Sequence, residues 1–187
     1  MSAPETSPVG RIPSGSFRKL GPINWVVAKL GARTMRVPEM HLFTTLGHRQ
    51  ALFWSWAIYG ARLLRGRMPA VDTELVILRV AHLRSCEYEL QHHRRMARKK
   101  GLDAQTQAAI FCWPDVSDAD RFSARQRALL AATDEFVKDR TVTGATWQQL
   151  ASHLDRRQLI EFCLLASHYD GLAATMSALE IPLDNPQ

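Results

Sequence analysis

Apolar residues recur along the chain at helical spacing, and no segment keeps the strict alternation of a half-buried strand. Between Met40 and Gly66, the positions Leu46, Phe53, Trp54, Ala57, Ile58, Ala61 and Leu64 share one helical face. They predict one long helix, or two broken ones, closed by Gly66 and Pro69. Asp72 reads as the N-cap of a helix carrying Leu75, Leu78, Val80 and Leu83. Leu75–Val80 has a composition that a strand tolerates, but the pattern outruns a strand's usual length. Ser85 interrupts it, and a second helix is predicted over 86–100. Its last turn is basic (Arg98, Lys99, Lys100), which suits a helix C-terminus, and Gly101 closes it.

Farther on, Asp103–Phe111 reads as a short helix and Pro114 to Asp120 as a loop. Ser123 caps a helix reaching about Lys138, and Thr143–Leu154 forms another. Asp155 opens the last one, Arg156–Leu179, with Leu159, Phe162, Cys163, Ala166, Leu172 and Met176 on its inward face. Upstream, Gly21 and Pro22 start a short amphipathic stretch, Ile23–Leu30. Pro8, Pro13 and two glycines make residues 1–20 a flexible, irregular arm. The expectation is an all-α helical bundle, a single domain over 21–187 behind that arm.

Composition narrows the function. With 187 residues, 46% hydrophobic and 22% charged, the chain has enough apolar material for a packed core, which excludes disorder over most of its length. No apolar run approaches the ~18–20 residues of a membrane span, and the polar N-terminus lacks the apolar core of a signal peptide. A cytoplasmic protein without a membrane partner is expected. Cys86, Cys112 and Cys163 are odd in number and far apart, which argues against a disulfide framework or a Cys-rich zinc site. The net charge of +6 permits a nucleic-acid role without demanding one. The basic run Arg94–Lys100 has neither a groove-reading element nor interleaved aromatics, so it reads as a solvated helix end.

Chemistry concentrates between Asp72 and Asp103. Cys86, Glu89 and His93 fall at i, i+3 and i+7, which places them on one helical face. Cys86 begins that helix, where backbone N–H groups and the helix dipole favour a thiolate. Glu89 or Glu74 can take a proton, and His93 can relay it, because imidazole titrates near neutrality. Against this, a cysteine often packs as a small apolar residue, and Glu and His four apart often form a simple surface pair. Glu89-x-x-His92 has the spacing of a di-iron ligand pair, but no second such pair exists in the sequence. Cys86, Glu89 and His93 are ligand types that zinc accepts, yet ligand type alone does not make a site, and no metal is expected. Tyr88 and His168 are weaker candidates for a substrate pocket, Tyr88 through its hydroxyl and His168 on the last helix.

This stretch resembles the carboxymuconolactone decarboxylase superfamily, which includes the alkylhydroperoxidase AhpD. The family hallmark is a glutamate about twelve residues before a Cys-x-x-Cys, with a histidine four after the second cysteine. Glu74, Cys86 and His93 match three of these positions, and Glu89 stands where the second cysteine would be. The likeness extends through LGHRQALFWSW before the motif and LLASHYDGLAATM near the C-terminus, covering about residues 40–180. It implies an AhpD-like helical fold and a homo-oligomer, commonly a trimer or hexamer.

For activity, the resemblance first implies thiol-dependent peroxide reduction of a small-molecule substrate. Cys86 would be the redox thiol, Glu89 and Glu74 proton handlers and His93 the relay, with a thiol reductant as partner. The alternatives are a lyase or isomerase working by Glu/His proton transfer on a small carboxylate or lactone, and a non-catalytic member that binds a small molecule. No glycine-rich phosphate loop is visible, so no organic cofactor is expected.

Overall fold

The computed structural model describes residues 10–115 and 121–184. Regular structure among them is entirely helical. In chain order the helices are α1 (Phe17–Met35), α2 (His41–Leu46), α3 (Gln50–Leu63), α4 (Ala70–Leu83), α5 (Glu87–Lys99), α6 (Ala104–Cys112), α7 (Ala124–Asp139), α8 (Gly144–Ala151) and α9 (Arg156–Leu179). No helix is long and apolar enough to cross a membrane. The chain forms two compact units, one of residues up to Tyr59 with those from Thr175 onward, the other Gly60–Ala174.

In the first unit the irregular stretch ends sooner than expected. Phe17–Leu20 is already helical, and α1 passes through a kink at Gly21, whose φ of 74° is open to glycine at little steric cost. Gly10–Ser16 is tied down by backbone bonds, Arg11 N to Leu179 O and Gly15 N to Thr44 O, each 3.0 Å. Residues 1–9 lie outside the described residues. The predicted helix over 40–66 is two helices, parted at Gly47–Arg49. Phe43, Phe53 and Trp56 pack edge to face there, and Phe53 is fully buried.

The second unit is built around α4. Every residue from Asp72 to Ala81 is buried, so this helix is enclosed on all sides. It packs against α5, α6 and α7. Leu75, Val76, Ile77, Leu78 and Val80 join Ile110, Leu129, Leu130, Phe162 and Leu165 in one core. Enclosure leaves the polar residues of α4 to find internal partners. Arg79 donates to both carboxylate oxygens of Asp134 (2.6 and 2.8 Å) and to the carbonyls of Ile110, Phe111 and Trp113. Asp72 corrects the sequence reading. The N-cap is Pro69, and Asp72 lies inside the first turn, accepting a 2.6 Å bond from Arg125.

The other ends follow local chemistry. Asp103 and Thr143 cap α6 and α8 through their side chains, and Ser123 caps α7 with a full capping box to Gln126. The predicted loop from Pro114 to Asp120 lies mostly outside the described residues. Between α3 and α4, Glu161 of α9 accepts the backbone N–H groups of Arg67 (2.7 Å) and Met68 (3.0 Å). Gly66 beside them has no room for a Cβ, which would fall on the Glu161 carboxylate.

Candidate functional site

The site is made by the turn from α4 to α5 and by one face of α9, all within the second unit. Arg84 closes α4, and Ser85 takes a left-handed conformation (φ 50°) that reverses the chain. Cys86 N then bonds to Ala81 O at 2.8 Å, and Cys86 becomes the N-cap of α5. Glu89 is therefore the third residue of α5. A glutamate there usually reaches back to the N-cap N–H. Here that N–H is already taken by Ala81, and the Glu89 side chain turns inward instead.

Helical spacing brings Cys86, Glu89 and His93 to one buried face, at 9%, 3% and 7% exposure. Glu74, one helix away on α4, is 3% exposed, and its Oε2 lies 2.8 Å from His93 Nδ1. Three of the four residues expected to do chemistry thus divide into a bonded His93–Glu74 pair and a lone acid. Both oxygens of Glu89 are buried without a hydrogen-bond partner. Burial first, and the charge of Asp170 second, hold its carboxyl well above the ordinary range. A group so placed keeps its proton to a higher pH than an ordinary carboxyl and remains able to donate.

Cys86 departs from the expectation of a thiolate. The N–H groups of Glu89 and Tyr88 favour the anion, but they make no capping hydrogen bond to the sulfur. Burial outweighs them, with a further push from the charge of Glu89, and the thiol is pushed up to about 12. The helix-terminus argument gave the right sign for one contribution and missed the larger one. Cys112 is exposed and Cys163 half-buried, and all three cysteines are free thiols.

Of the weaker candidates, Tyr88 is buried with its ring tilted against His92, centroids 5.2 Å apart. His168 is half-buried and rests edge-on against Tyr169. It stands one residue behind the site, and burial lowers its basicity. The residue that meets the site is Tyr169, whose ring lies edge-on to His93 at 5.1 Å and 88°. The signal was present in the sequence, because Phe162, Ala166 and Tyr169 recur on the apolar face of α9 and His168 stands one step off it. Asp170 follows, buried, accepting from Arg84 and, at 2.6 Å, from Arg140. Among the described residues no three His, Cys, Asp or Glu side chains converge to hold a metal ion.

Comparison with known proteins places this geometry. The carboxymuconolactone decarboxylase family matches residues 50–135. The uncharacterized protein YdfG of Bacillus subtilis (strain 168) is 23% identical over 94 residues, 49% of this chain. The match covers 62% of that relative, so the chain spans about three-fifths of its length. An uncharacterized peroxidase-related protein from Ralstonia eutropha JMP134, described as an alkylhydroperoxidase AhpD core, superposes with a TM-score of 0.80. It is 17% identical, over 97% of this chain and 94% of its own. A peroxidase-related protein from Silicibacter sp. TM1040 gives 0.77 at 16% identity over the same shares. The debrominase Bmp8, solved in complex with 2,3,4-tribromopyrrole, gives 0.74 at 14% identity over 91% of this chain and 90% of that one. At such identities the structural likeness is one of fold. The family match contains Glu74, Cys86, Glu89 and His93, and together with the shared fold it supports placing this chain in the carboxymuconolactone decarboxylase and AhpD-like superfamily.

Proposed function

We propose that this protein is a proton-transfer enzyme of the lyase or isomerase type, acting on a small carboxylate or lactone. The observation that carries this reading is Glu89, a buried carboxyl whose two oxygens have no partner. Such a group is destabilising unless a ligand completes it. Protonated Glu89 is the general acid. His93 is the base, with Glu74 holding Nδ1 and stabilising the imidazolium that forms when Nε2 takes a proton. An acid and a base then stand on one helical face, as acid–base chemistry requires. The substrate class is the one that the superfamily resemblance implies. A debrominase among the structural neighbours supports small-molecule chemistry on this fold.

A second reading, thiol-dependent peroxide reduction, is favoured by the Cys86 sulfur beside the N–H groups of Tyr88 and Glu89. There the thiolate attacks the O–O bond and is oxidised to a sulfenic acid. Glu89 protonates the departing alkoxide, and a thiol reductant restores Cys86.

Steady-state kinetics on a panel of lactone acids and organic hydroperoxides separates the two. The acid–base reading expects Glu89→Gln and His93→Gln to lose about 10²–10⁴-fold in kcat on a carbon acid, with Cys86→Ala nearly unchanged. Hydroperoxide turnover lost in Cys86→Ala, with no turnover of any lactone acid, would reverse the assignment.

A further inference from the structure

Tyr169 belongs to no part of the motif, yet it is the ring against which His93 is set. The His93–Glu74 bond fixes one atom of the imidazole and leaves the ring plane free, because an sp³–sp² torsion such as χ2 of histidine has broad, two-fold wells. A contact at right angles to the ring supplies what the bond lacks. Tyr169 makes that contact, with centroids 5.1 Å apart and planes at 88°, and it is only 5% exposed.

Its own position is fixed from behind. The next residue, Asp170, accepts from Arg84, the C-cap of α4, and from Arg140, the C-cap of α7. Arg84 also donates to the Val137 carbonyl of α7. This part of α9 is thereby pinned to the ends of two other helices, and Tyr169 has no slack to follow a moving imidazole. Burial keeps the phenol neutral. It therefore brings no charge that would compete for the His93 proton.

We infer that Tyr169 is a positioning residue of the site: its ring holds the His93 imidazole in the orientation that bonds Nδ1–H to Glu74 and leaves Nε2 as the acceptor nitrogen. The contact is a matter of geometry, while its catalytic consequence rests on the acid–base reading above. The ring is the acting part, so phenylalanine serves in its place and an aliphatic side chain does not.

The test is ¹⁵N NMR of the imidazole nitrogens in the full-length protein above pH 8, with His93→Asn used to assign the His93 signals among the seven histidines. Wild type is expected to show His93 protonated on Nδ1. Tyr169→Phe is expected to keep that pattern. Tyr169→Leu, and Tyr169→Met should the leucine variant not fold, are expected to lose it for a mixture of tautomers. Persistence of the wild-type pattern in the folded aliphatic variant overturns the role of Tyr169 and leaves the acid–base reading standing. Loss in Tyr169→Phe also overturns it, because the ring is then intact. A wild-type spectrum without the Nδ1–H tautomer removes the His93–Glu74 base itself, and both proposals fall.

Discussion

One carboxyl group carries most of what distinguishes this site from an ordinary helix packing. Glu89 is buried, unpartnered and held neutral, and the folded chain bears a penalty whenever it must ionise. The sign follows from linkage. The folded carboxyl retains its proton above the ordinary value of 4.5, while the unfolded one releases it. Its effect on stability is therefore harmless at low pH and grows as pH rises from about 4.5 toward the raised folded value. Glu89→Gln removes the titration. Thermal melts from pH 4 to 8 are expected to show the variant gaining on wild type as pH increases, and a constant difference across that range would refute the assignment. The residues of the candidate site were legible in the sequence, because Cys86, Glu89 and His93 share a helical face and Glu74, Cys86 and His93 match the family motif, with Glu89 in place of its second cysteine. Their states were not. Which carboxyl is bonded and which is orphaned depends on depth, and so does the answer to whether burial or the helix terminus prevails at Cys86.

At the scale of the element, capping chemistry was the most readable part of the chain. Ser123 and the span Arg156–Leu179 stand in the structure as read, while Asp103 and Thr143, read as first helical residues, are the N-caps of α6 and α8; caps and helical periods are local properties. Asp72 misled for the opposite reason. It is a good cap by residue type, but Pro69 starts the helix earlier and the Asp72 carboxylate is drawn to Arg125 on α7. The start of α1 was missed because Gly21 and Pro22 signal a break, and the chain accommodates them as a kink within a longer helix. The turn between α4 and α5 rests on Ser85 in the left-handed region. Ser85→Gly is expected to melt within about 1 kcal/mol of wild type. Ser85→Val should lose roughly 1–2 kcal/mol, since a branched side chain resists this conformation. Equal melting of the two variants would mean that the turn carries no such strain.

For the whole molecule, the expectation of a homo-oligomer gains a physical motive. Ile23, Val26 and Leu30 lie along one face of α1 at 66%, 46% and 59% exposure, and Ile160 and Leu164 are likewise exposed on α9. Apolar side chains in rows of this kind suit a helical interface. Native mass spectrometry is expected to return a multiple of the 21.1 kDa chain mass, and a species at 21.1 kDa alone would dismiss the idea. The resemblance reached the fold as a whole because helix periodicity and the motif agree. It could not reach the Arg79–Asp134 clamp, whose partners on α4, α6 and α7 meet only after the helices have packed.

Gly66 and Glu161 bind two distant positions into a single mutational unit. The carboxylate that gathers the N–H groups of Arg67 and Met68 occupies the space that any side chain at 66 would need. A sequence can therefore leave this pairing only by a double step, through an intermediate that either crowds the acid or strands two amide hydrogens. In thermal melts, Gly66→Ala and Glu161→Ala are each expected to destabilise. The double variant should fall short of their sum, because once the carboxylate is gone the added methyl group has nothing to strike. Simple additivity would show that the two positions drift independently.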